Sequence, residues 1–317
     1  MSLIAIHDAE TEHFKKAKTF PNYALMKISS YHKSLGDTVV WFNAMERDLY
    51  DKVYSSKVFD FTPENPYLPP DTIKGGTGYG KFESLPDEID NMFPDYSIYP
   101  ECDYAIGFIT RGCINKCRWC VVPKKEGMIR PYRGWRDLIR EDTNKLVLMD
   151  NNILACEHGI NQLREIAEDG TISIDLNQGM DLRLVTPEIT DILAKIKWIK
   201  YIRFSVDQKS QIKHLKKVAE YLSERGVKTS KLFLYCLITK DMKDDVERIY
   251  AIRDICPNAT IYAQAEVNPT LGIMPDNWQK MMAQKYVYSG QWRKINWDEW
   301  VKTHSYLFGK DDEIYLG

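Results

Sequence analysis

The sequence lacks several features that would place it in other classes of protein. No apolar run approaches the ~18–20 residues that a membrane helix needs, so we expect no membrane partner. The N-terminal segment, MSLIAIHDAETEHF, has neither a basic stretch nor a long apolar core. It therefore predicts no signal peptide and a cytoplasmic location. The net charge of −2 provides no general attraction to nucleic acid, which argues against an RNA or DNA partner.

Cysteines are few and unevenly placed. Four of the seven stand alone in the sequence: Cys102, Cys156, Cys236 and Cys256. They predict free thiols in a reducing compartment and exclude a disulfide scaffold. The other three crowd into the stretch RGCINKCRWCVVP (111–123), and they are Cys113, Cys117 and Cys120.

A metal site is the expected use of this triad, but the fourth ligand is missing. Zinc prefers four protein ligands in structural sites, and no CxxC or HxxxH pair occurs elsewhere in the chain. Zinc and a chance cluster of structural cysteines remain alternatives. The spacing favours a [4Fe–4S] cluster held by three thiolates, with one iron left open to bind a small molecule. Nine basic residues around the triad, Arg118 among them, predict an electropositive collar for this cluster, unless they form only a solvated loop.

From about residue 101, six short apolar runs alternate with helical periodicities. The runs are YAIGFIT (104–110), LVLMD (146–150), ISIDL (172–176), YIRFSV (201–206), LFLYCLI (232–238) and TIYAQAEV (260–267). Nearly continuous apolar strands alternating with helices predict a parallel sheet covered by helices. Either an open doubly wound sheet or an incomplete (β/α) barrel fits six such units. Both bind ligands at the carboxyl ends of the strands.

The flanking regions differ from this pattern. Residues 1–100 predict a small Rossmann-like α/β unit, with strands at LIAIH (3–7), TVVWF (38–42) and DKVYSSKVFDF (51–61) and a helix at 23–36. Its Pro- and Gly-rich segment 62–86 predicts an ordered lid loop, or else a linker. The GGTGYG within that segment lacks the Lys-Ser/Thr that follows a phosphate loop. Residues 276–317 predict a C-terminal cap, or else a partner surface, which leaves 101–275 as the central domain.

The spacing Cys113-x3-Cys117-x2-Cys120, placed directly after the strand YAIGFITRG, resembles the radical S-adenosylmethionine (SAM) superfamily. The resemblance implies an α/β fold with a partial (β/α)6 barrel and a [4Fe–4S] cluster whose open iron binds SAM. It also implies that an electron from the cluster cleaves SAM to methionine and a 5′-deoxyadenosyl radical, which abstracts a substrate hydrogen. Such an enzyme needs an electron donor such as flavodoxin or ferredoxin.

The resemblance also suggests which residues contact SAM. Trp119 occupies the position of an aromatic residue that lies beside the adenine, and Asp150-Asn151-Asn152 stands where the superfamily usually has a Gly-Gly-Glu-like turn. Other polar residues follow the later strands. The residues assigned to SAM are Trp119, Asn151, Asn152, Gln178, Arg203, Asp207, Gln264 and Glu266. For each one, the alternative is an ordinary strand-end hydrogen bond.

Absences narrow the choice within the superfamily. Methylthiotransferases carry a second cysteine triad upstream, whereas only Cys102 precedes Cys113 here. The cobalamin signature Asp-x-His-x-x-Gly is missing, which predicts no cobalamin. These absences predict a compact enzyme with one cluster, acting on a small molecule.

Several segments, PNYALMKISSYH, YSSKVF, GGTGYG and LMDNN, are similar to a group of small Firmicute radical SAM proteins that includes the queuine lyases. That likeness implies a lyase that cleaves the carbon–nitrogen bond between the cyclopentenediol and the deazaguanine aminomethyl group of queuine, for salvage. Acids would accept the N–H groups or face the amine of this substrate, and aromatic rings would stack on its flat face. The candidates are Asp8, Phe59, Tyr67, Tyr79, Asp175, Asn177, Asp181 and Asn268.

Three alternatives stay open at this point. In the first, the acids pair with nearby Arg and Lys residues instead of a ligand. In the second, the chain is a radical SAM enzyme that modifies tRNA or a protein. In the third, it is a non-enzymatic module in which the three cysteines bind a structural metal.

Overall fold

The computed structural model describes residues 1–13, 20–268 and 272–309. The chain divides into two compact units, residues 1–105 and 106–317. The end of the predicted cap, residues 310–317, lies outside the described residues. Within the described part, no helix is long and apolar enough to cross a membrane. The domain boundaries at residues 100 and 275 stay predictions.

The first unit is a parallel sheet with helices. Its strands are β1 (Leu3–Asp8), β2 (Thr38–Trp41), β3 (Lys52–Ser56) and β4 (Ile73–Gly75), and its helices are α1 (Ala9–His13), α2 (Tyr23–Ser34) and α3 (Asp87–Asp90). The strand order is β2-β1-β3-β4, with parallel pairing throughout. The chain runs from β1 to β2 on one side of β1 and then crosses to β3 on its other side, which makes the gap between β1 and β3 the topological switch point.

Two expectations for this unit can be compared with the structure. The third strand ends at Ser56 rather than continuing to residue 61. The Pro- and Gly-rich segment is ordered, because its residues Ile73–Gly75 pair with β3 as an edge strand. Its backbone groups thus have partners that a free linker would not provide.

The second unit contains two larger parallel sheets and a two-stranded antiparallel ribbon. Its strands are β5 (Ala105–Gly107), which begins at the boundary, β6 (Thr110–Arg111), β7 (Arg130–Pro131), β8 (Lys145–Leu148), β9 (Ser173–Leu176), β10 (Met180–Asp181), β11 (Lys197–Trp198), β12 (Ile202–Ser205), β13 (Leu232–Ile238) and β14 (Thr260–Ala265). Its helices are α4 (Val122–Lys125), α5 (Glu157–Asp169), α6 (Pro187–Lys195), α7 (Ile212–Glu224), α8 (Met242–Ile255), α9 (Asn277–Met281) and α10 (Trp297–Thr303).

All six predicted strands are present, as β5, β8, β9, β12, β13 and β14. One sheet has the order β11-β9-β8-β5 and the other β10-β12-β13-β14, while β6 pairs with β7 in the ribbon. Strands β9 and β12 belong to different sheets and share no ladder of backbone hydrogen bonds. Side chains connect them instead, because Arg203 of β12 donates to both carboxylate oxygens of Asp175 of β9 at 2.6 and 2.7 Å. Parallel sheets with helices between the strands are compatible with a partial (β/α)6 barrel, and the partial barrel itself stays a prediction.

Local sequence explains why the elements begin and end where they do. Helix α6 begins after Thr186, because the Thr186 hydroxyl accepts a hydrogen bond from the N–H of Ile189 and Pro187 occupies the first helical position. The helix then buries Ile189, Ile192 and Leu193, whose helical spacing puts them on one side.

Alternation along β12 and β13 creates two different sheet faces. Residues such as Phe204 and Leu234 are fully buried on one face. The other face carries half-exposed polar and aromatic side chains, and we call it the polar–aromatic face: Arg203, Ser205, Phe233, Tyr235 and, from β14, Tyr262. Because period-two alternation puts these residues on one side of the sheet, the second unit has an accessible surface with aromatic rings beside a charged pair.

Candidate active site

The three clustered cysteines lie in one loop between β6 and α4, which we call the cysteine loop (112–121). Gly112 opens it at φ +87°, and a Cβ there would lie 2.4 Å from the carbonyl oxygen of Met128. The N–H of Cys113 donates to the carbonyl of Gly127 at 3.2 Å. Only glycine suits this positive φ and close approach, so the entry to the loop is determined by the backbone.

The three thiols are free, with Cys113 and Cys117 half-buried and Cys120 exposed. Burial raises the pKa of Cys117, and its two thiol neighbours raise it further. Burial likewise raises the pKa of Cys120, although the N–H of Val122 opposes the shift. Thiolate ligation would therefore release protons from these groups. No three His, Cys, Asp or Glu side chains of the described residues are arranged around a single metal ion, and the ligand assignment stays a prediction.

The residues between the cysteines attach the loop to strand ends. Asn115 donates to Asp181 at 3.1 Å and accepts from Arg183 at 3.0 Å, at the end of β10. Arg118 donates to both carboxylate oxygens of Glu266, each at 2.9 Å, just beyond β14.

The backbone carbonyl of Arg118 also accepts from the side-chain amide of Asn268 at 2.8 Å. The loop is thus held at two strand ends, one on each side of Cys117. Bidentate guanidinium–carboxylate pairs of this kind fix geometry as well as adding energy.

A buried amide lies beside the first cysteine. Asn152 is 2% exposed, and its amide nitrogen lies 3.7 Å from the sulfur of Cys113. Its carbonyl oxygen has no hydrogen-bond partner within the described residues. Buried acceptors are normally satisfied, so this oxygen indicates a missing donor. The ammonium group of SAM would supply such a donor at the position where the resemblance predicts it, and the residues therefore fit the cofactor.

The residues just before Asn152 have other contacts. Asp150 is buried and accepts hydrogen bonds from the N–H groups of Ile109 and Thr110. These hydrogen bonds fix the backbone that leads into the cysteine loop. Burial raises the pKa of Asp150 to about 6, against the effect of these donors. The side-chain amide of Asn151 points to Glu126 at 3.5 Å.

Asp207, another residue predicted to bind SAM, is held by the backbone of β13. It accepts from the N–H of Leu237 at 3.0 Å, and burial raises its pKa. Below it, fully buried Arg248 donates to the carbonyls of Val206 and Leu237, each at 2.7 Å. The charge of Asp207 also contributes to the raised pKa of Cys117, after burial and the two neighbouring thiols.

The remaining SAM predictions divide into available and occupied side chains. Trp119 is half-buried, Gln178 and Gln264 are exposed, and none of the three side chains has a hydrogen-bond partner in the described part of the chain. Glu266, by contrast, is occupied by Arg118, and Arg203 is occupied by Asp175. Glu266 and Arg203 therefore hold parts of the site together through these ion pairs.

The predicted substrate residues of the second unit are also engaged. Asp175 pairs with Arg203, and Asp181 pairs with Arg183 at 2.6 Å. The carbonyl of Asn177 accepts from the hydroxyl of Tyr235 at 2.6 Å, and Asn268 bonds the cysteine loop. The alternative that the acids pair with nearby arginines is what the structure shows for Asp175, Asp181 and Glu266.

Four predicted substrate residues lie in the first unit. Asp8 is buried and accepts from the hydroxyls of Tyr99 and Thr11 at 2.7 and 2.8 Å. Tyr79 shares a 2.8 Å hydrogen bond with Ser55. Phe59 and Tyr67 are exposed, and Phe59 stacks on Phe61 with 5.1 Å between ring centroids. Only Phe59 and Tyr67 thus present accessible rings.

Sequence reasoning missed several residues of the site. It gave no role to Asn115, Arg248 or the rings of Phe233 and Tyr235. It treated LFLYCLI as one continuous apolar run, although period-two alternation within it separates these rings from the buried leucines. That alternation was the available signal. For Asn115 and Arg248 the sequence contained no such signal, since their partners are remote in sequence.

Comparison with known proteins supports the superfamily. No protein-family model matches the chain. Two curated proteins that do match are both named ribosomal protein uS12 methylthiotransferase RimO. The one from Clostridioides difficile (strain 630) is 28% identical over 190 residues, which is 56% of this chain and 37% of the relative. The one from Thermoanaerobacter sp. (strain X514) is 29% identical over 129 residues, 38% of this chain and 26% of the relative.

The alignments thus span well under half the length of the curated relatives. RimO is a radical SAM enzyme that uses a [4Fe–4S] cluster and SAM. The two matches therefore support the radical SAM superfamily for this chain.

Proposed function

We propose that Cys113, Cys117 and Cys120 hold a [4Fe–4S] cluster that cleaves SAM reductively. The observation that carries this proposal is the unpartnered, buried carbonyl oxygen of Asn152 beside Cys113, in a loop of three free thiols. When bound, the cluster and SAM would supply one electron and a carbon radical that abstracts a substrate hydrogen.

The chain's own residues would bind and orient the cofactor. The Asn152 oxygen would accept a hydrogen bond from the ammonium of SAM. Trp119 would lie beside the adenine, and Gln178 and Gln264 would be available to its polar groups. The ion pair between Arg118 and Glu266 would hold the loop in place before the cofactor binds. This reduces the entropy cost of ordering the loop on binding.

For the substrate, we propose a small molecule, and specifically queuine, whose carbon–nitrogen bond is cleaved to release a 7-deazaguanine amine. Support comes from the likeness of segments such as YSSKVF and LMDNN to the queuine lyase group. The polar–aromatic face adds to it, because Tyr235 and the 41% exposed Tyr262 offer rings to a flat heterocycle. The enzyme class under this proposal is a lyase without cobalamin, with flavodoxin or ferredoxin as electron donor.

A second candidate is a radical SAM enzyme that modifies a protein or tRNA. The two matches to methylthiotransferases of a ribosomal protein favour it. Against it stands the absence of a second cysteine triad before Cys113 in this sequence. The third hypothesis, a structural metal site without activity, would leave the unpartnered oxygen of Asn152 unexplained.

One anaerobic assay separates these candidates. The cluster is reconstituted, SAM and dithionite are added with queuine or with a ribosomal protein uS12 peptide, and products are followed by mass spectrometry. Splitting of queuine with substrate-dependent 5′-deoxyadenosine supports the lyase. Intact queuine with slow 5′-deoxyadenosine rejects that substrate but keeps the superfamily, and a methylthio addition to the peptide supports the second candidate.

Two variants control this assay. Cys117→Ala removes a proposed cluster ligand, so we expect no 5′-deoxyadenosine from it. Cys156→Ala removes a half-buried thiol outside the triad and should keep full activity. Protein with a full iron–sulfur complement that forms no 5′-deoxyadenosine would overturn the proposed function as a whole.

A further inference from the structure

An arginine that is remote in sequence lies against the cysteine loop. Arg183 follows β10, in a short 3₁₀ helix at Leu182–Leu184, and its terminal nitrogen Nη2 donates to the side-chain oxygen of Asn115 at 3.0 Å. The backbone nitrogen of Asn115 lies 3.4 Å from the sulfur of Cys113. Asn115 therefore contacts both the Arg183 guanidinium and a proposed cluster ligand.

Asp181 fixes the direction of this guanidinium. One carboxylate oxygen of Asp181 accepts from the backbone N–H of Arg183 at 3.0 Å and from its Nε at 2.8 Å. The other oxygen accepts from Nη2 at 2.6 Å. The second terminal nitrogen, Nη1, makes no hydrogen bond with the described residues. Because charge-assisted hydrogen bonds from Nε and Nη2 fix geometry, the cation is oriented at the loop before any ligand binds.

The guanidinium and the thiols of the triad also affect each other. The hydrogen bond to Asp181 raises the pKa of Arg183, and the negative charges of Cys117 and Cys113 raise it further. Burial raises the pKa of Cys117, and the charge of Arg183 opposes this shift. Opposite charges that lie close together have these effects on each other. Arg183 is thus a cation that favours the thiolate form of the triad.

The position of Arg183 was not expected from the sequence. The electropositive collar predicted there consists of basic residues next to the triad in the chain, whereas Arg183 stands far beyond Cys120. It reaches the loop because Asp181, at the end of β10, binds both Arg183 and the side-chain amide of Asn115 at 3.1 Å. The tertiary structure therefore adds a fixed cation beside the triad.

We propose that Arg183 raises the reduction potential of the [4Fe–4S] cluster by stabilising its reduced state, an inference that rests on the cluster assignment under the proposed function. Reduction from the 2+ to the 1+ state takes one electron from the donor, and no bond forms or breaks. The cluster with its three thiolates becomes more negative by one charge. A fixed cation at the loop favours this more negative state, since charge and hydrogen bonds around the sulfurs set cluster potentials.

The test measures the midpoint potential of the reconstituted full chain without SAM. An anaerobic titration with dithionite and redox dyes is followed by the electron paramagnetic resonance signal of the reduced cluster. Arg183→Met removes the charge and keeps an unbranched side chain. At a fixed solution potential, we expect the ratio of reduced to oxidised cluster to fall about tenfold, which lowers the midpoint by about 59 mV for one electron. Arg183→Lys keeps the charge and should recover most of this shift.

Replacing Asp181 should have the opposite effect. Asp181→Asn keeps an oxygen that can accept from Arg183 but removes the negative charge that compensates the guanidinium. We therefore expect the midpoint potential of this variant to rise. A role limited to holding the loop would reduce the cluster content of both variants, and it would not shift their potentials in opposite directions.

Arg225→Met is the matched control. Arg225 donates to Asp191 at 2.5 Å, so it forms an arginine–aspartate pair like that of Arg183. The two partners belong to α6 and to the end of α7 and not to the cysteine loop. Loss of this pair should leave the midpoint potential unchanged.

The outcomes separate this inference from the proposed function. A wild-type chain that assembles no [4Fe–4S] cluster would overturn the cluster assignment, and this inference with it. Normal cluster content with equal midpoint potentials in wild type and Arg183→Met would overturn the inference alone. So would shifts of the same sign in Arg183→Met and Asp181→Asn. If Arg183→Met assembles no cluster, an unchanged or lowered potential in Asp181→Asn would still contradict the inference.

Discussion

Replacing Arg118 by methionine tests how the cysteine loop is held. Glu266 is fully buried, and its carboxylate pairs with Arg118 alone among side chains of the described residues. Loss of one partner of a buried ion pair typically costs ~3–5 kcal/mol, because an uncompensated charge remains. The Arg118 side chain is 59% exposed, so water can reach the carboxylate once the arginine is gone. We therefore expect Arg118→Met to lower the free energy of unfolding by about 2–3 kcal/mol.

A matched control exists in the same unit. Arg136 is 60% exposed, as Arg118 is, but its nearest carboxylate partner, Glu165, is itself 46% exposed. Surface pairs of this kind contribute ~0–1 kcal/mol. Arg136→Met should therefore cost at most about 1 kcal/mol, and the difference between the two variants isolates the burial of the carboxylate.

The assay is urea unfolding of the cluster-free chain, followed by tryptophan fluorescence. Of the eight tryptophans, only Trp41 precedes residue 106, so the signal reports mainly the second unit. The double variant Arg118→Met/Glu266→Gln should be more stable than Arg118→Met, because the amide leaves no buried charge. Equal losses in Arg118→Met and Arg136→Met, or a double variant less stable than Arg118→Met, would refute the reasoning.

Three further predictions concern the surroundings of the triad. Burial raises the pKa of Asp150 to about 6. As the pH falls from 7 to 5, the folded chain therefore takes up a proton on this carboxylate, whereas the unfolded chain does not. Stability from this group rises by about 1 kcal/mol over that range, and Asp150→Asn should reduce the pH dependence of urea unfolding by that amount. Gly112→Ala should abolish cluster reconstitution, measured as iron per chain, whereas Gly127→Ala should cost about 1 kcal/mol, because a Cβ there has open space despite φ +71°. Asn152→Ala should weaken SAM binding about tenfold, since a buried hydrogen bond to a charged group is lost, while Asn151→Ala should have a smaller effect in equilibrium dialysis.

Each of these predictions can fail visibly. An unchanged pH dependence in Asp150→Asn would mean that this carboxyl is ionised across the range. Normal iron content in Gly112→Ala would mean that the loop entry tolerates a side chain. A larger effect of Asn151→Ala than of Asn152→Ala would assign the SAM contact to Asn151, the half-buried neighbour.

The carboxylates of the second unit illustrate where sequence reasoning stops. Asp175, Asp181 and Glu266 stand at strand ends, as expected of ligand-binding acids. Each is nevertheless paired with an arginine. Position at a strand end is a local property that the sequence pattern predicts well. Whether a charge is neutralised there depends on which remote side chain folds beside it, and no local pattern contains that information.

The sequence by itself located the elements and predicted the chemistry of the triad. The apolar run LFLYCLI located β13 at Leu232–Ile238, and Thr186 with Pro187 provides the local signal for the start of α6. The spacing of the three cysteines indicated the cluster, because ligand spacing within one loop is a local constraint. Tertiary structure alone decided the contact between Arg118 and Glu266, which are 148 residues apart. It likewise decided the unpartnered oxygen of Asn152, because burial and pairing depend on which strand ends meet in space.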